Sequence, residues 1–417
     1  MFDIDKWQEI LATINKHKLR TLLTAFGVFW GIFMLVLLMG TGKGLQNGVY
    51  RDFANLATNS VFVWAEKTSV PYHGLQPGRF IQLTNEDTKA LKENIPEINY
   101  IAPRLNLSGE FSVSRDTKNG SFQVLGTTPD IRQIKAVNIS DGRFLDELDG
   151  TENRKIAVIG PRVVQVLFGQ DEPIGQYINI KGSFFKVVGV FKLENTSGGD
   201  GRDESQTIYI PLSTLQRTFD QVNYVGSYAI NIKPGISVAP VEKKIKAFLE
   251  QKHDISPNDA RAIGSWNAEK EFQNISGLFT GINIFNWIVG IGTIIAGIVG
   301  VSNIMLIIVK ERTREIGVRK ALGATPWSIV SLIIQESVVI TSVSGYMGLV
   351  CGVGTIQGVS YLMNKFDIKS DYFSNPEINF HMAIIATIIL VIAGTLAGLI
   401  PALKASKINP IEALRTE

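Results

Sequence analysis

Four long apolar runs constrain the fold of this 417-residue chain more than any other feature. They cover residues 21–41, 284–309, 327–363 and 381–401, and none contains a lysine or an arginine. About 20 apolar residues are enough for a helix to cross the hydrocarbon core of a bilayer. The sequence therefore predicts four transmembrane α-helices. A charged fraction of 19% and a mean hydropathy of +0.15 agree with a chain that lies partly in lipid.

Lysine and arginine residues outside the runs predict the orientation. They cluster before the first run, between the second and third, and after the fourth. Because positively charged loops stay in the cytoplasm, we expect a multi-pass protein of the inner (plasma) membrane. The expected order is an interfacial cytoplasmic helix 1–20, transmembrane helix 1 at 21–41, a large extracytoplasmic domain with helical stalks at 42–283, transmembrane helix 2 at 284–309, a cytoplasmic helix 310–326, transmembrane helix 3 at 327–363, a short extracytoplasmic loop 364–380, transmembrane helix 4 at 381–401 and a cytoplasmic tail 402–417.

The N-terminal segment favours a helix that lies on the inner leaflet. Trp7, Ile10, Leu11 and Ile14 share one helical face. A frayed terminus is the alternative. The first apolar run is longer than the core of a typical signal peptide and ends without a small-x-small cleavage site, which favours an uncleaved anchor.

The insertion between the first two runs has the pattern of a mixed domain. Residues 61–66 and 184–192 are rich in β-branched and aromatic side chains, which is typical of strands. Residues 85–95 begin with a capping residue and an acidic first turn, which is typical of a helix, and 241–253 is a second helix candidate. The predicted fold is a membrane protein with four transmembrane α-helices and a large α+β extracytoplasmic domain inserted between helices 1 and 2.

Nucleotide and nucleic-acid binding are both disfavoured. The stretch GTGKG at 40–44 resembles the end of a phosphate loop, but Leu37 stands where the pattern needs glycine and Gly44 where it needs serine or threonine. A net charge of +3 is far from the basic excess typical of nucleic-acid-binding proteins. We therefore expect the chain not to hydrolyse ATP itself.

Metal and catalytic sites are not expected either. The histidines His17, His73, His253 and His381 are scattered, and the single cysteine, Cys351, lies in an apolar run. The acidic stretch 140–150 is more typical of a surface loop than of paired catalytic carboxylates. No catalytic residue, metal or cofactor is predicted.

Small residues four apart recur in every apolar run, as glycine pairs in the first, third and fourth and as Gly292, Ala296 and Gly300 in the second. Small residues at this spacing allow close helix approach in lipid, where packing drives association. The alternative is that glycine is merely common in membrane helices. The residues predicted to pack are Gly27, Gly31, Gly292, Ala296, Gly300, Gly348, Gly352, Gly394 and Gly398, and Gly354 and Gly358 share the spacing.

Gln335 and Glu336 are the polar pair inside the third run. Glu336 is the only acidic residue in the four runs. An ionisable group within a membrane helix is a functional candidate. A buried packing role is the alternative.

The charged segment between the second and third runs predicts a short, stiff helix. Glu311 and Arg314, and Glu315 and Arg319, are acid-first pairs at helical spacing. Gly323 is placed to end the helix and Pro326 to begin the next one. A rod held at both ends by membrane helices can transmit force, whereas a plain loop only keeps charge on the cytoplasmic side; composition alone leaves both readings open.

Residues 303–336 resemble the signature of the MacB/FtsX-like ABC transporter permeases. Residues 17–32 are similar to the first span of that family, 139–149 and 155–192 to its extracytoplasmic core domain, and 399–417 to its C-terminal end. The resemblance covers essentially the whole chain.

The resemblance implies a permease that works by mechanotransmission, with ATP and Mg bound by a separate ABC ATPase. It also implies a second permease copy or a paralogue, contact with membrane lipids and, in the efflux branch, a periplasmic adaptor and an outer-membrane channel. The substrate would be a drug, a peptide or a lipoprotein. The family's coupling helix corresponds here to Glu311, Arg312, Arg314, Glu315, Gly317, Arg319, Lys320, Gly323 and Ala324.

Two other functions remain open on the residues. One is a membrane-anchored sensor or regulator whose outside domain controls a partner such as a cell-wall hydrolase. The other is a membrane-anchored enzyme acting outside, for which the sequence offers no catalytic constellation.

Overall fold

A computed structural model describes residues 18–53, 56–107, 113–135, 137–193, 204–366, 368, 370, 373–374, 376 and 380–409. The chain divides into two compact units. One combines Met1–Gly48 with Leu278–Glu417, and the other is Val49–Gly277. The predicted interfacial stripe from Trp7 to Ile14 lies outside the described residues.

Helices and strands alternate in the order suggested by the sequence patterns. The helices are α1 (Lys18–Asp52), α2 (Asn85–Asn94), α3 (Ile131–Ile134), α4 (Glu147–Thr151), α5 (Pro161–Val163, continued by a π-helical turn Val164–Phe168), α6 (Leu212–Thr218), α7 (Val238–Lys252), α8 (Ala268–Glu311), α9 (Thr313–Ala321), α10 (Pro326–Lys365) and α11 (Phe380–Ser406). The strands are β1 (Ser60–Ala65), β2 (Leu83–Thr84), β3 (Ile98–Asn106), β4 (Val113–Arg115), β5 (Lys118–Gly120), β6 (Gln123–Thr127), β7 (Asn138–Gly142), β8 (Ile156–Ile159), β9 (Tyr177–Ile180), β10 (Ser183–Lys192), β11 (Thr207–Pro211), β12 (Tyr224–Val225), β13 (Ser227–Ile232) and β14 (Ile263–Asn267).

Three helices in the described part of the chain are long and apolar enough to cross a membrane. They are Ala25–Arg51 within α1, α8, and α10. The fourth predicted span falls in α11, where the apolar stretch identified is the shorter Val391–Ser406. The membrane-type helices agree with the sequence, whereas the count of four spans stays a prediction.

The unit Val49–Gly277 is built on one large mixed sheet. Within the described ranges, its strands follow the order β14-β1-β13-β3-β6-β11-β8-β10-β9-β4-β5, and β7 pairs with β10. Strands β8 and β11 are buried along their whole length, because helices or loops cover both faces of the central sheet. The expectation of a large α+β domain is confirmed.

Two neighbouring strands at the centre of this sheet run parallel. β6 and β11 pair from Gln123 with Thr207 to Thr127 with Pro211. Their carboxyl ends therefore lie side by side at one edge of the sheet. A crevice at the carboxyl ends of parallel strands is a common position for a ligand site.

Helix α7 shows how the sequence directs packing in this domain. Val241, Ile245 and Leu249 recur every four residues, and all three are buried in the main apolar core. A helix of this length is marginally stable alone in water, so burial of its apolar face against the sheet supplies most of the stability of α7.

In the helical unit, small residues bring α1 close to α8 and α10. A Cβ atom added at Gly31 would lie 3.4 Å from the backbone oxygen of Thr293, and one at Gly348 would lie 2.5 Å from the backbone oxygen of Phe29. The backbones of these helices are thus near contact, as small-residue spacing predicts. The predicted residues that lie against a neighbouring helix are Gly27, Gly31, Gly348, Gly352, Gly394 and Gly398.

The second helix packs through a different set of small residues from the predicted one. A Cβ atom added at Gly297 would lie 3.5 Å from the backbone of Gly27, and one added at Gly290 would clash with the Leu35 side chain. By contrast, an added Cβ at Gly292 or Gly300 would meet no described atom within 4 Å, and Ala296 is exposed. Gly292, Ala296 and Gly300 lie on another face of α8 and make no close helix contact within the described chain, so their role in helix packing stays a prediction. Gly354 and Gly358 on α10 are likewise open.

Candidate functional site

The charged segment between α8 and α10 folds as a separate short helix. α8 ends at Glu311, and Arg312 leaves the helical conformation with φ −94° and ψ 9° before α9 begins. The Thr313 hydroxyl donates hydrogen bonds to the carbonyl oxygens of Val309 at 3.1 Å and Lys310 at 2.8 Å. The chain thus turns within one residue and stays hydrogen-bonded through the turn.

The end of α9 is fixed by a glycine in the left-handed region. Gly323 has φ +96°, a conformation that favours glycine. The Ala324 amide donates to the Arg319 carbonyl at 3.0 Å, and the Gly323 amide donates to the Lys320 carbonyl at 3.1 Å. This bond pair is a Schellman motif, which ends a helix sharply.

Helix α10 then begins with its own cap. Thr325 is extended, its side chain accepts a hydrogen bond from the Ser328 amide, and Pro326 occupies the first helical turn. These are the favoured residues for a helix start. Only four residues separate α9 from α10, so α9 is joined stiffly to both neighbouring helices.

An ion pair links the start of α9 to the interior of α10. The Arg312 guanidinium lies 3.6 Å from the Glu336 carboxylate, whose side chain is only 4% exposed. Arg312 also lies 3.5 Å from Glu315, which in turn accepts a hydrogen bond of 3.0 Å from Arg319. Glu336 therefore holds the turn between α8 and α9 against the third apolar helix.

A lysine links the other end of α9 to the end of α11. The Lys320 ammonium donates to the carbonyl oxygens of Ser406 at 2.8 Å and Ile408 at 2.7 Å. Helix ends leave carbonyl oxygens without partners, and a cation is a favourable cap there. Ile316 and Gly317 are buried on the same side of α9. One face of α9 is thus bound to the helical unit at three points.

The opposite side of α9 carries Arg314, Val318 and Leu322, which we call the exposed face. Val318 is 42% exposed and Leu322 is 84% exposed, and Arg314 is also exposed. Trp327, at the start of α10, is 74% exposed. A cavity of about 560 Å³ lies between α8, α9 and α10, and Leu322 lines it together with Arg312, Glu315, Ile316 and Arg319, whereas Arg314 and Val318 do not. Exposed apolar side chains such as Val318 and Leu322 are typical of a surface that a partner covers.

The nine residues assigned to the coupling helix differ in their exposure. Gly317 is buried and Lys320 is directed to the end of α11, so neither belongs to the exposed face. The exposed residues are Glu311, Arg314, Glu315 and Gly323, and the partly buried ones are Arg312, Arg319, Lys320 and Ala324. Gln335 is exposed and Glu336 is buried.

The structure separates the three large apolar residues of this segment, Ile316, Val318 and Leu322. Ile316 is buried, whereas Val318 and Leu322 are exposed. The signal that could have found this division is the spacing: Arg314, Val318 and Leu322 are four residues apart and share a face, and Ile316 lies on the other.

Buried carboxylates outside this segment have structural partners. Burial would raise the pKa of the Asp149 carboxyl, but hydrogen bonds from Arg143 and the Asp146 amide outweigh burial and lower it. Asp149 lies in the acidic stretch 140–150. Because these hydrogen bonds occupy its carboxylate, its role is structural. Among the described residues, no group of three or more histidine, cysteine or acidic side chains is arranged to hold a metal ion.

Comparisons with known proteins find a matching family for each of two long segments of the chain. Residues 21–248 match the family described as the MacB-like periplasmic core domain, and residues 287–410 match the FtsX-like permease C-terminal family. The first match covers more than half of the chain and the second contains α9.

Relatives align along almost the whole chain. The macrolide export ATP-binding/permease protein MacB of Bdellovibrio bacteriovorus is 28% identical over 406 residues, which are 97% of this chain and 60% of that protein. The pyoverdine export ATP-binding/permease protein PvdT of Pseudomonas entomophila is 29% identical over 407 residues, 96% of this chain and 58% of that protein. The crystal structure of the periplasmic region of MacB from Actinobacillus actinomycetemcomitans superposes with a TM-score of 0.43 at 20% identity, over 54% of this chain and 96% of that one.

The chain spans about 60% of the length of these curated relatives. The shared part includes the apolar helices, the α+β domain and the short helix α9. The resemblance in residues 303–336 is confirmed by the family match over the same segment. The chain belongs to the MacB/FtsX-like family of ABC transporter permeases.

Proposed function

We propose that this protein is the non-catalytic membrane subunit that couples ATP hydrolysis by a separate ABC ATPase to movement of the domain Val49–Gly277 outside the membrane. ATP and Mg are bound by the ATPase. Movement of this domain drives export or extraction of a substrate by mechanotransmission. The substrate does not cross the membrane along a polar path through the helices. In this proposal 310–326 is cytoplasmic and the protein is a multi-pass protein of the inner membrane.

The observation that carries this proposal is the two-sided character of α9. Its inner side is held by the Arg312–Glu336 ion pair, by buried Ile316 and by the Lys320 hydrogen bonds to the end of α11. Its exposed face offers a cation and two apolar side chains to a partner. A helix fixed to two membrane helices can pass a push from that partner into both of them.

In this proposal, α1 and α8 carry the movement from the membrane to the domain Val49–Gly277. α1 continues to Asp52, beyond the predicted end of its span at residue 41, and α8 begins at Ala268, well before residue 284. A long continuous helix transmits displacement because its backbone hydrogen bonds resist bending. These extensions fit the proposed stalks.

The names of the relatives suggest the substrate class. Two relatives are named for export of macrolides and of pyoverdine, so a drug-like or peptide-like compound is the proposed cargo here, with a lipoprotein as the extraction alternative. The proposal includes a second copy of the permease or a paralogue, and in efflux a periplasmic adaptor and an outer-membrane channel.

Co-purification tests the central claim. The full chain is expressed with a candidate ABC ATPase, extracted in mild detergent and isolated by a tag on the permease. Arg314→Glu and Leu322→Asp on the exposed face should each reduce recovered ATPase at least about tenfold, because each places charge against a surface built for its opposite or for apolar contact.

Lys365→Glu is the matched control, since it reverses one exposed charge at the other end of α10. It should leave the complex intact. Undiminished recovery and full ATPase coupling in both α9 variants would contradict the proposal. A wild-type chain that binds no ATPase but retains a periplasmic enzyme such as a cell-wall hydrolase would favour the regulator.

A further inference from the structure

A second cavity lies in the domain Val49–Gly277, at the carboxyl ends of the parallel strands β6 and β11. Its volume is about 510 Å³, within the usual range of roughly 300–1,000 Å³ for small-molecule sites. Thr127 and Pro211, the paired last residues of the two strands, both line it. The coupling role proposed above makes no use of this cavity.

Helix α2 forms one wall. Asn85, Thr88, Lys89 and Lys92 line the cavity, and their spacing of three and four residues places them on a single helical face. Lys89 and Lys92 are exposed, and among the described residues neither forms a hydrogen bond or an ion pair. This wall therefore presents two available ammonium groups.

The facing wall is acidic. It includes Asp130, just before α3, and Asp146 and Glu147 at the start of α4. Asp146 is engaged by Arg143 at 3.2 Å. The Asp130 carboxylate caps no backbone group, and no hydrogen bond or ion pair with a described residue engages it. Burial raises the pKa of the Asp130 carboxyl, Lys92 partly offsets the rise, and Glu147 adds to it.

A second polar group at the cavity lacks a partner. The Thr128 hydroxyl is buried, and no described residue forms a hydrogen bond with it. Burying a hydroxyl or a carboxylate without a partner costs free energy. The buried Thr128 hydroxyl and the half-buried Asp130 carboxylate, close together in the 128–130 segment, indicate a place where a ligand supplies the missing interactions.

Hydrogen bonds fix the positions of the elements that line the cavity. The side-chain amides of Asn85 and Gln216 pair at 3.1 Å and 3.2 Å and join α2 to α6. The Thr127 hydroxyl donates to the Pro103 carbonyl at 3.0 Å and joins β6 to β3. The apolar floor consists of Ile101, Pro103, Pro129, Leu145, Pro211 and Leu212. A preformed cavity with an apolar floor and a few placed polar groups is typical of a small-molecule site.

We propose that this cavity binds a small zwitterionic molecule of the short-peptide class. Its ammonium group pairs with Asp130 and Glu147, its carboxylate pairs with Lys89 and Lys92, and its apolar body lies on the floor between them. The opposite charges on the two walls fix the direction in which the ligand lies. Occupation gives the Asp130 carboxylate the direct ion pair that no described residue provides.

The test uses the full chain in detergent micelles and tetra-alanine with free termini as the probe, measured by isothermal titration calorimetry. The wild-type chain should bind it saturably with a stoichiometry of one per chain. Acetylating the peptide amine or substituting Asp130→Asn should weaken binding at least about tenfold, and amidating the carboxyl or substituting Lys92→Met should do the same, since each removes one charge-assisted contact.

Glu93→Gln and Lys243→Met are matched controls, because both residues are exposed and outside the cavity; neither should change the affinity. Thermal unfolding of the same samples separates loss of ligand contact from loss of fold, and Asp130→Asn should not lower the unfolding temperature. The inference is overturned if wild-type chain does not bind tetra-alanine, or if the blocked peptides and the cavity variants bind as tightly as the unmodified pair. ATPase recovery plays no part in this measurement, so its outcome is separate from that of the coupling proposal.

Discussion

Arg312, at the turn between two helices, reaches Glu336 inside a third, with 3.6 Å between guanidinium and carboxylate. The two side chains differ in exposure: Arg312 is 24% exposed, whereas Glu336 is 4% exposed. Removing the arginine takes one cation away from a buried carboxylate. Removing the glutamate leaves an arginine that can still reach water and Glu315.

The first prediction follows from this asymmetry. Arg312→Ala should destabilise the helical unit by about 3 kcal/mol, the usual cost of removing one partner of a buried ion pair, and Glu336→Ala should cost clearly less, because Arg312 is the more exposed of the two. Thermal unfolding in detergent, followed by circular dichroism, measures both. The exchange Arg312→Glu with Glu336→Arg should recover part of the loss. Equal losses of stability in Arg312→Ala and Glu336→Ala would contradict this prediction.

The second prediction concerns the close approach of α10 to α1. Gly348→Ala places a Cβ 2.5 Å from the backbone oxygen of Phe29, so the helices must separate, at a cost of about 1–3 kcal/mol. Gly354→Ala is the control on the same helix, because its added Cβ meets no described atom within 4 Å. It should change stability by less than about 0.5 kcal/mol. The unfolding temperatures of the two variants in one detergent decide the matter, and a larger loss at Gly354 would refute the packing.

The third prediction concerns pH and Asp87. This fully buried carboxylate accepts hydrogen bonds from the Thr84 amide at 2.8 Å and lies 2.6 Å from Lys252 and 3.0 Å from His253. Burial alone would raise the pKa of Asp87, but His253, Lys252 and Thr84 outweigh it and hold the pKa well below the ordinary 3.8.

A depressed folded-state pKa adds stability above the ordinary value and loses it as pH falls toward the folded value. Asp87→Asn should therefore cost about 1–3 kcal/mol at pH 7 and progressively less below about pH 4. Unfolding of the wild-type and variant chains across pH 3–7 tests this. A loss that stays constant over that interval would mean that the ionised form of Asp87 is not what stabilises the link between α2 and α7.

The fourth prediction concerns orientation. In a Cys351→Ser background, cysteine is introduced at the exposed positions Ala321, in α9, and Ser121, between β5 and β6. A maleimide that does not cross the inner membrane should label Ser121→Cys in spheroplasts and Ala321→Cys only after lysis. Labelling of Ala321→Cys in intact spheroplasts would place α9 outside and remove the basis for ATPase coupling.

Parts of the helical unit follow from local pattern. The glycine at 323 and the proline at 326 indicate where α9 ends and α10 begins, and the structure shows a left-handed Gly323 and a capped α10 at those positions. Such signals can be read because they depend on the backbone conformation of one or two residues.

The packing faces could be read only in part. Repeated glycines identify helices that can approach closely, but several faces of α8 carry small residues, and the spacing alone does not fix the rotation of a helix. The structure uses Gly297 and Gly290 and leaves Gly292 and Gly300 open. The choice depends on what the neighbouring helix presents.

The sequence by itself determined the apolar helices, the mixed composition of the domain between the first two, the family and the short charged helix. Each depends on periodicity, composition or motifs over neighbouring residues. Only the tertiary structure decided that Glu336 meets Arg312, that Lys320 caps α11, and that Lys92 faces the same cavity as Asp130. Those relationships join distant parts of the chain, and they are set by helix rotation and strand order, which arise from packing the whole unit at once.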